Sequence, residues 1–249
     1  MAAKLLILGG TTEGAALARA LAAHPEIACI SSLAGRTAAP APLPGETRSG
    51  GFGGAAGLVA FLRAEDVKAM VDATHPFATQ ISTHAVAAAR ATGVPLLRIE
   101  RPAWKRQPGD RWIEVGSLAE AAVAAPSYGR RCFLTVGPTE LQAFASLANM
   151  RFLVRLLEKP AAPLPLADAR IVIARGPFTL QGEEKLLKQH AIEVIVAKNS
   201  GGDATYGKIA AARALGLPVV MIRRPAKPPA DERAETVADA AAWVLAQLG

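Results

Sequence analysis

Short apolar runs recur along the chain, and between them the apolar positions take the spacing of a helix face. In the first half the runs predict strands over 4–9, 27–33, 67–72 and 94–99, with helices over 13–23, 55–64 and 78–92. The runs are rich in Ile, Val and Leu and show little polar alternation, as expected of strands covered on both faces. Strands alternating with helices argue for a parallel sheet with right-handed crossovers. The Gly- and Pro-rich stretch 34–54 reads as a long surface loop.

The second half repeats this grammar. Strands are predicted over 131–136, 151–156, 170–174, 192–197 and 217–222, and helices over 139–148, 179–190, 204–215 and 234–248. The proline-rich stretch 159–167 joins two strands without a helix. Residues 100–116, broken by Pro102 and Pro108 and dense in charge, read as the connection between domains. Ser117-Leu118-Ala119-Glu120 and Thr236-Val237-Ala238-Asp239 have the form of capping boxes at helix starts. The last helix carries Val237, Ala240, Ala241, Val244 and Leu248 on one face, suited to packing on a sheet. The expected fold class is α/β: two Rossmann-like doubly wound domains, 1–110 and 111–249, each with a mainly parallel sheet. A cleft between them is the expected ligand location.

The length of 249 residues suits one large or two medium domains. No uninterrupted apolar stretch approaches the roughly 20 residues that a membrane helix needs. The opening MAAKLLILGG lacks the pattern of a signal peptide, so a soluble cytoplasmic protein is expected. Cys29 and Cys132 fall in predicted buried strands, and the scattered histidines give no metal-ligand spacing; no metal is expected. The formal net charge is +7, and basic residues recur just after predicted strands: Arg36, Arg98, Arg101, Arg175, Lys198, Arg223 and Arg224. In an open parallel sheet those ends face the ligand, which points to an anion. Solubility alone also accounts for the charge. Nucleic acid is not expected, because no basic run is interleaved with aromatics and aromatics make up 5% of the chain. No membrane and no obligate protein partner are expected.

Candidate chemistry begins at the first strand end. In the dinucleotide fingerprint glycines stand at the first, third and sixth positions; here those are Gly9, Thr11 and Gly14. A diphosphate would then lie against Gly10 and the Thr11 and Thr12 hydroxyls at a helix N-terminus. An ordinary glycine turn before a helix satisfies the same residues. After the second strand no acid follows to hold a ribose; Ser31, Ser32 and Arg36 suit a 2′-phosphate, which favours NADP over NAD. After the third strand, Asp72 and Thr74 can stop the strand and cap a helix, while His75 is either structural or a proton carrier. In the second half the turns at Gly137 and Arg175 have strand–turn–helix form. The loop Lys198-Asn199-Ser200-Gly201-Gly202 follows a buried strand, and its successive N–H groups can form an anion-binding nest. Lys208 adds charge there and Tyr206 a weak acid. Tyr206 has no lysine four residues on, no Gly-x-Ser-x-Gly elbow occurs, and no Walker lysine follows the glycine turn.

In order along the chain, the segments Ile7 to Gly14, Asp72 to Ala78, Arg98 to Trp104, Thr135 to Gly137, Ala174 to Phe178, Lys198 to Gly202 and Val219 to Pro225 resemble the precorrin-6A reductase family of cobalamin biosynthesis. The resemblance implies hydride delivery from NADPH to a ring double bond of precorrin-6A, giving precorrin-6B. A related family form acts on the cobalt-containing ring. The implied substrate is an anionic tetrapyrrole, which gives the basic strand ends a purpose. On this reading Gly9, Gly10, Thr11, Thr12, Glu13, Gly14, Ser32, Arg36 and Thr74 hold the cofactor. Gly137, Arg175, Lys198, Asn199, Ser200, Gly201, Gly202 and Lys208 hold the substrate, and His75, Tyr206 and Lys198 serve catalysis. The proton can come from His75, Tyr206 or water. A non-catalytic module that binds NADP or a tetrapyrrole would share the glycine turn and the basic strand ends.

Overall fold

A computed structural model describes residues 2–35 and 41–249. The chain forms two compact units: residues 1–102 with 225–249, and residues 103–224.

In the first unit, β1 (Ala3–Leu8), β2 (Ile27–Leu33), β3 (Glu46–Ser49), β4 (Val67–Asp72), β5 (Leu96–Ile99) and β12 (Glu232–Ala234) form one six-stranded sheet in the order β12-β5-β4-β1-β2-β3. All its pairings are parallel. Successive β1 side chains point to opposite faces. Leu5 and Ile7 pack with α1 (Thr12–Leu21) and α7 (Val237–Leu248), whereas Leu6 and Leu8 pack with α2 (Gly54–Ala64) and α3 (Thr79–Thr92). Burial on both faces is why β1 reads as an unbroken apolar run.

The second unit repeats the plan. Strands β6 (Arg111–Val115), β7 (Arg131–Thr135), β8 (Arg151–Leu156), β9 (Ala169–Ile173), β10 (Val194–Lys198) and β11 (Pro218–Ile222) lie in the order β6-β11-β10-β7-β8-β9, again all parallel. One face packs Phe133, Ile195 and Met221 against Leu187 of α5 (Leu180–Gln189) and Ile209 of α6 (Gly207–Ala214). Toward the other face lie α4 (Leu118–Ala124), which contacts β11, and Phe144, whose ring meets Phe152. Both cysteines are buried strand residues, as expected.

Three short strands depart from the expectation. β3 lies inside the stretch read as loop, and β6 inside the stretch read as connection; both are edge strands of partly polar sequence. β12 is three residues long, was not expected, and ends at Ala234, where the predicted last helix was to begin. The predicted helix over 139–148 is a 3₁₀ segment, Pro138–Phe144.

The boundary at 110/111 is also corrected, because the chain after 225 returns to the first unit. Buried apolar contacts drive that return: Ala240 and Val244 of α7 join the cluster around Leu5 and Ile7. Each sheet's edge strand beside its fifth member is thus exchanged. β6 follows β5 in sequence but pairs with β11, and β12 follows β11 but pairs with β5.

One buried ion pair fixes the return. Arg98 Nε donates to Asp72 Oδ2 at 2.9 Å, and the two side chains are 2% and 0% exposed. Arg98 Nη1 donates to Pro228 O at 2.8 Å, and Asp231 accepts from Leu96 N at 3.0 Å. Burial acts to raise the Asp72 pKa. The Lys227 charge and hydrogen bonds from Ser82, Thr74 and Arg98 outweigh it and hold the carboxyl below its usual range. Arg98→Met should cost about 3–5 kcal/mol, since it leaves a buried carboxylate without its guanidinium. Urea unfolding at neutral pH measures that loss.

Candidate active site

In both sheets the strand order reverses beside the first strand of the βαβ series, between β1 and β4 and between β7 and β10. Ligands of open α/β sheets bind outside the carboxyl ends of the strands at such points. Most of the candidate residues stand in the turns after β1 and β4 and after β7 and β10; Ser32, Arg175, Tyr206 and Lys208 lie on other elements.

In the first unit, Gly9 N donates to Ser32 O at 2.9 Å, which sets the turn after β1. Gly10 has φ +94, a backbone state that favours glycine, and a Cβ there would meet nothing within 4 Å. A Cβ on Gly14 would stand 3.2 Å from Gly9 Cα and 3.4 Å from Ala73 Cβ, so helix and turn approach too closely for a side chain. Thr11 is the N-cap of α1: its hydroxyl accepts from Gly14 N at 3.2 Å and donates to Ala73 O at 2.6 Å. That hydroxyl therefore joins the β1 and β4 turns instead of standing open to a phosphate. Thr12 is exposed. Thr11 takes the Gly14 N–H and the Glu13 carboxylate its own N–H, so of the leading N–H groups of α1 that of Thr12 remains as an anion donor.

Glu13 is held by Arg101, whose Nη1 lies 2.7 Å from each carboxylate oxygen. Burial acts to raise the Glu13 pKa, but Arg101, with hydrogen bonds from the residue's own N–H and from Thr11, outweighs it and lowers the pKa. Thr74 donates through its hydroxyl to Asp72 Oδ1 at 2.6 Å and through its N–H at 3.1 Å. His75 Nδ1 accepts from Phe77 N at 3.2 Å, which leaves a neutral ring's proton on Nε2, and His75 O accepts from Lys227 Nζ at 3.2 Å. Ser32 is buried, and its Oγ accepts from Arg48 Nη1 at 2.8 Å. Arg36 lies outside the described residues.

In the second unit most of the charge is spent inside the scaffold. Lys198 Nζ pairs with both carboxylate oxygens of Glu140, and Glu140 Oε2 accepts from Gly137 N at 2.7 Å. The ends of β7 and β10 are thereby joined. The Asn199 side chain pairs with the backbone of Trp104, accepting its N–H at 2.8 Å and donating to its carbonyl at 3.0 Å. Arg224 donates to Asn199 O at 2.9 Å and Ser200 O at 3.0 Å, and Trp104 Nε1 to Gly202 O at 2.9 Å. Ser200 is buried. Gly201 (φ +66) and Gly202 (φ +75) turn the loop through the left-handed region. Gly201 is buried and Gly202 half-buried, so with the side chains committed the Gly202 N–H is the backbone donor the loop can offer a ligand. The turn after β9 adjoins this loop, since Phe178 N donates to Ala204 O at 3.0 Å. Arg175, exposed at that turn, has no hydrogen-bond or ion-pair partner among the described residues.

Lys208 and Tyr206 do not stand open at this edge. Tyr206 OH accepts from Arg213 Nη2 at 2.5 Å, and Arg213 also binds the buried Asp110. Lys208 is 5% exposed; its Nζ donates to Thr205 O at 2.8 Å and lies 4.9 Å from the Trp104 ring. Burial lowers its pKa to about 7; Glu183 pulls it back up and Arg155 pushes it further down. Sequence reasoning missed the parts of Glu140 and Trp104 in shaping the loop, read Arg224 as a cation facing the ligand, and gave Arg48 no role. The only sequence signal for Glu140 was its place one turn after Gly137.

Comparison with known proteins bears on both units. The sequence profile of the family described as Precorrin-6x reductase CbiJ/CobK matches residues 4–245. A precorrin-6A reductase of Rhodococcus erythropolis is 49% identical over 241 residues, covering 97% of each chain. One from Rhodobacter capsulatus is 51% identical over 228 residues, covering 92% of this chain and 90% of the relative. A solved structure titled CobK precorrin-6A reductase superimposes with a TM-score of 0.92 at 48% identity, covering 98% of this chain and 97% of the other.

The state of Lys208 gives a testable slope. Its folded pKa, about 7, lies below that of an unfolded lysine, so the unfolded chain binds the extra proton across that interval. Stability should therefore rise with pH from about 7 toward about 10 through this group. Lys208→Met should flatten the rise, as the difference between urea-unfolding curves of the two proteins taken across that range will show.

Proposed function

The chain belongs to the precorrin-6x reductase family, and from that premise we infer that it is a precorrin-6A reductase of cobalamin biosynthesis that uses NADPH. The observation that carries the cofactor reading is the β1 turn. Open space at Gly10, the close approach at Gly14 and the α1 N-terminus beyond its Thr11 cap fit a dinucleotide diphosphate. Among the described residues the end of β2 offers Ser31 and Ser32 and no carboxylate, which favours a 2′-phosphate over a free ribose hydroxyl. Bound NADPH would supply the hydride for the ring double bond.

The protein's share is binding and orientation. Thr11 keeps its place as a cap, Thr12 and the Gly10 backbone face the diphosphate, and Glu13 and Thr74 hold the turns through Arg101 and Asp72. In the second unit the half-buried Gly202 backbone, turned outward by the buried Gly201, and the exposed Arg175 guanidinium take carboxylates of the tetrapyrrole. Lys198, Asn199 and Ser200 set the loop that presents them, and Gly137 the neighbouring turn. His75, with its proton on Nε2, and Tyr206, whose oxygen accepts from Arg213 and keeps its own proton, are the two side-chain candidates for proton donor. Lys198, engaged by Glu140, positions the loop and does not move a proton.

Adding precorrin-6A to the protein with NADPH should consume the absorbance of the reduced nicotinamide. Tight binding of both without consumption would return the chain to a binding module; turnover of the cobalt-containing ring alone would assign the other family form. Arg175→Ala should raise the KM for the tetrapyrrole about tenfold, the scale of one lost charge-assisted contact. NADPH affinity measured by titration should not change, since Arg175 stands in the second unit.

A further inference from the structure

The sheet edge beside Ser32 carries a fixed cation that the cofactor reading has not used. Arg48 stands opposite Ser32 in the β2–β3 register. Its Nη1 donates to Ser32 Oγ at 2.8 Å and to Gly50 O at 3.1 Å, and its Nη2 to Gly51 O at 3.1 Å. The guanidinium carbon lies 3.9 Å from the centre of the Phe52 ring and 5.2 Å from that of Phe61. One face of the guanidinium is thus stacked, and its rotamer is set from three sides. Among the described residues no carboxylate pairs with it, and Nε and the second Nη2 proton have no acceptor.

A second feature meets it there. Helix α2 starts at Gly54 with Gly53 as its N-cap; no side chain caps it, and its first turn holds no acid. Its leading N–H groups keep their partial positive charge for an external anion. The chain runs from Arg48 to this helix start through Gly50 and Gly53, both at positive φ, and a Cβ on either would meet nothing within 4 Å. Backbone geometry, and not crowding, calls for glycine there.

We propose that Arg48 is the residue that selects NADPH over NADH, taking the 2′-phosphate through its free Nε and Nη2 edge beside the α2 N-terminus. The proposal rests on the NADPH reading above. A phosphate accepts from a guanidinium edge through two N–H groups. Ser32 completes the seat: its oxygen accepts from Arg48, so its own proton is left to donate to the anion. Pre-set geometry matters because little side-chain freedom is then lost on binding.

Isothermal titration with 2′,5′-ADP and 5′-AMP isolates the phosphate from the rest of the cofactor, and NADPH and NADH repeat the comparison. Wild-type protein should prefer the 2′-phosphorylated member of each pair. Arg48→Ala should weaken 2′,5′-ADP and NADPH about 10- to 100-fold and leave 5′-AMP and NADH nearly unchanged. Arg48→Lys, which keeps the charge without the planar edge, should fall between. Ser32→Ala keeps the carbonyl anchors of Arg48 and should lose part of the preference, so the test stands even if Arg48→Ala folds poorly. Equal loss for both members of each pair would make Arg48 a clamp for its loop and overturn the proposal. So would an intact preference in Arg48→Ala that Arg36→Ala abolishes. Wild-type protein with no preference at all would overturn the NADPH reading itself, and that result is visible before any variant is made.

Discussion

The buried contact between Asp72 and Arg98 is where the first unit's parts meet. The two residues are register partners at the ends of β4 and β5, and both are out of water. Such a pair is a weak source of net stability, because desolvating two charges offsets most of their attraction. One guanidinium nitrogen even lacks a partner among the described residues. What the pair supplies is position. One carboxylate oxygen fixes the Thr74 turn, the other fixes Arg98, and Arg98 in turn holds the Pro228 carbonyl of the returning chain. Lys227 of the same segment reaches the carbonyl of His75. The turn that carries His75 and the strand β12 that closes the sheet are thus tied to a single anchor. An apolar pair of equal volume would fill the space and tie neither.

Strand positions were legible where both faces are covered. β1, β2, β4, β7, β8, β10 and β11 are apolar runs because α-helices or their own neighbours bury each side, and a short run with no polar face has little else to form. Of the edge strands, β9 was legible from its Ile-Val-Ile run, but β3, β6 and β12 were not. β3 reads Glu-Thr-Arg-Ser, and its pairing with β2 rests on backbone hydrogen bonds that no side chain advertises. The exchange of β6 and β12 was hidden for a different reason. Local pattern says what a segment forms and not which sheet receives it, and the packing of α7 on Leu5 and Ile7 is a contact across almost the whole sequence.

At the site, the glycine bend was legible because close approach leaves its mark on residue type. Gly14 has no room for a Cβ, and Gly10 has a backbone state that favours glycine. The basic residues after the strands misled for an equally physical reason. A cation at a strand end suits an anionic ligand, but it suits an internal carboxylate or carbonyl as well, and sequence does not show the partner. Arg98 found Asp72, Arg101 found Glu13, Lys198 found Glu140 and Arg224 found two loop carbonyls. Lys208 turned inward beneath Trp104. Arg48 escaped notice because it lies in a strand whose polar sequence reads as loop.

The two strand-order reversals solve one problem in the same way. At each, side chains are consumed in holding the turn: Thr11 bridges to Ala73 in one unit, and Glu140 bridges Gly137 to Lys198 in the other. What is left nearest solvent is mainly backbone: Gly10 and the start of α1 in one unit, and the half-buried Gly202 in the other, where Gly201 is buried. Backbone N–H groups bind anions without titrating, so their strength does not change with pH as that of a histidine or lysine does. They also fit an enzyme whose reactive step belongs to its cofactor, where the protein must hold charged partners in place more than exchange protons with them. A site built this way is nearly silent to a search for reactive side chains. It becomes visible only when each conspicuous side chain has been followed to the partner that already occupies it.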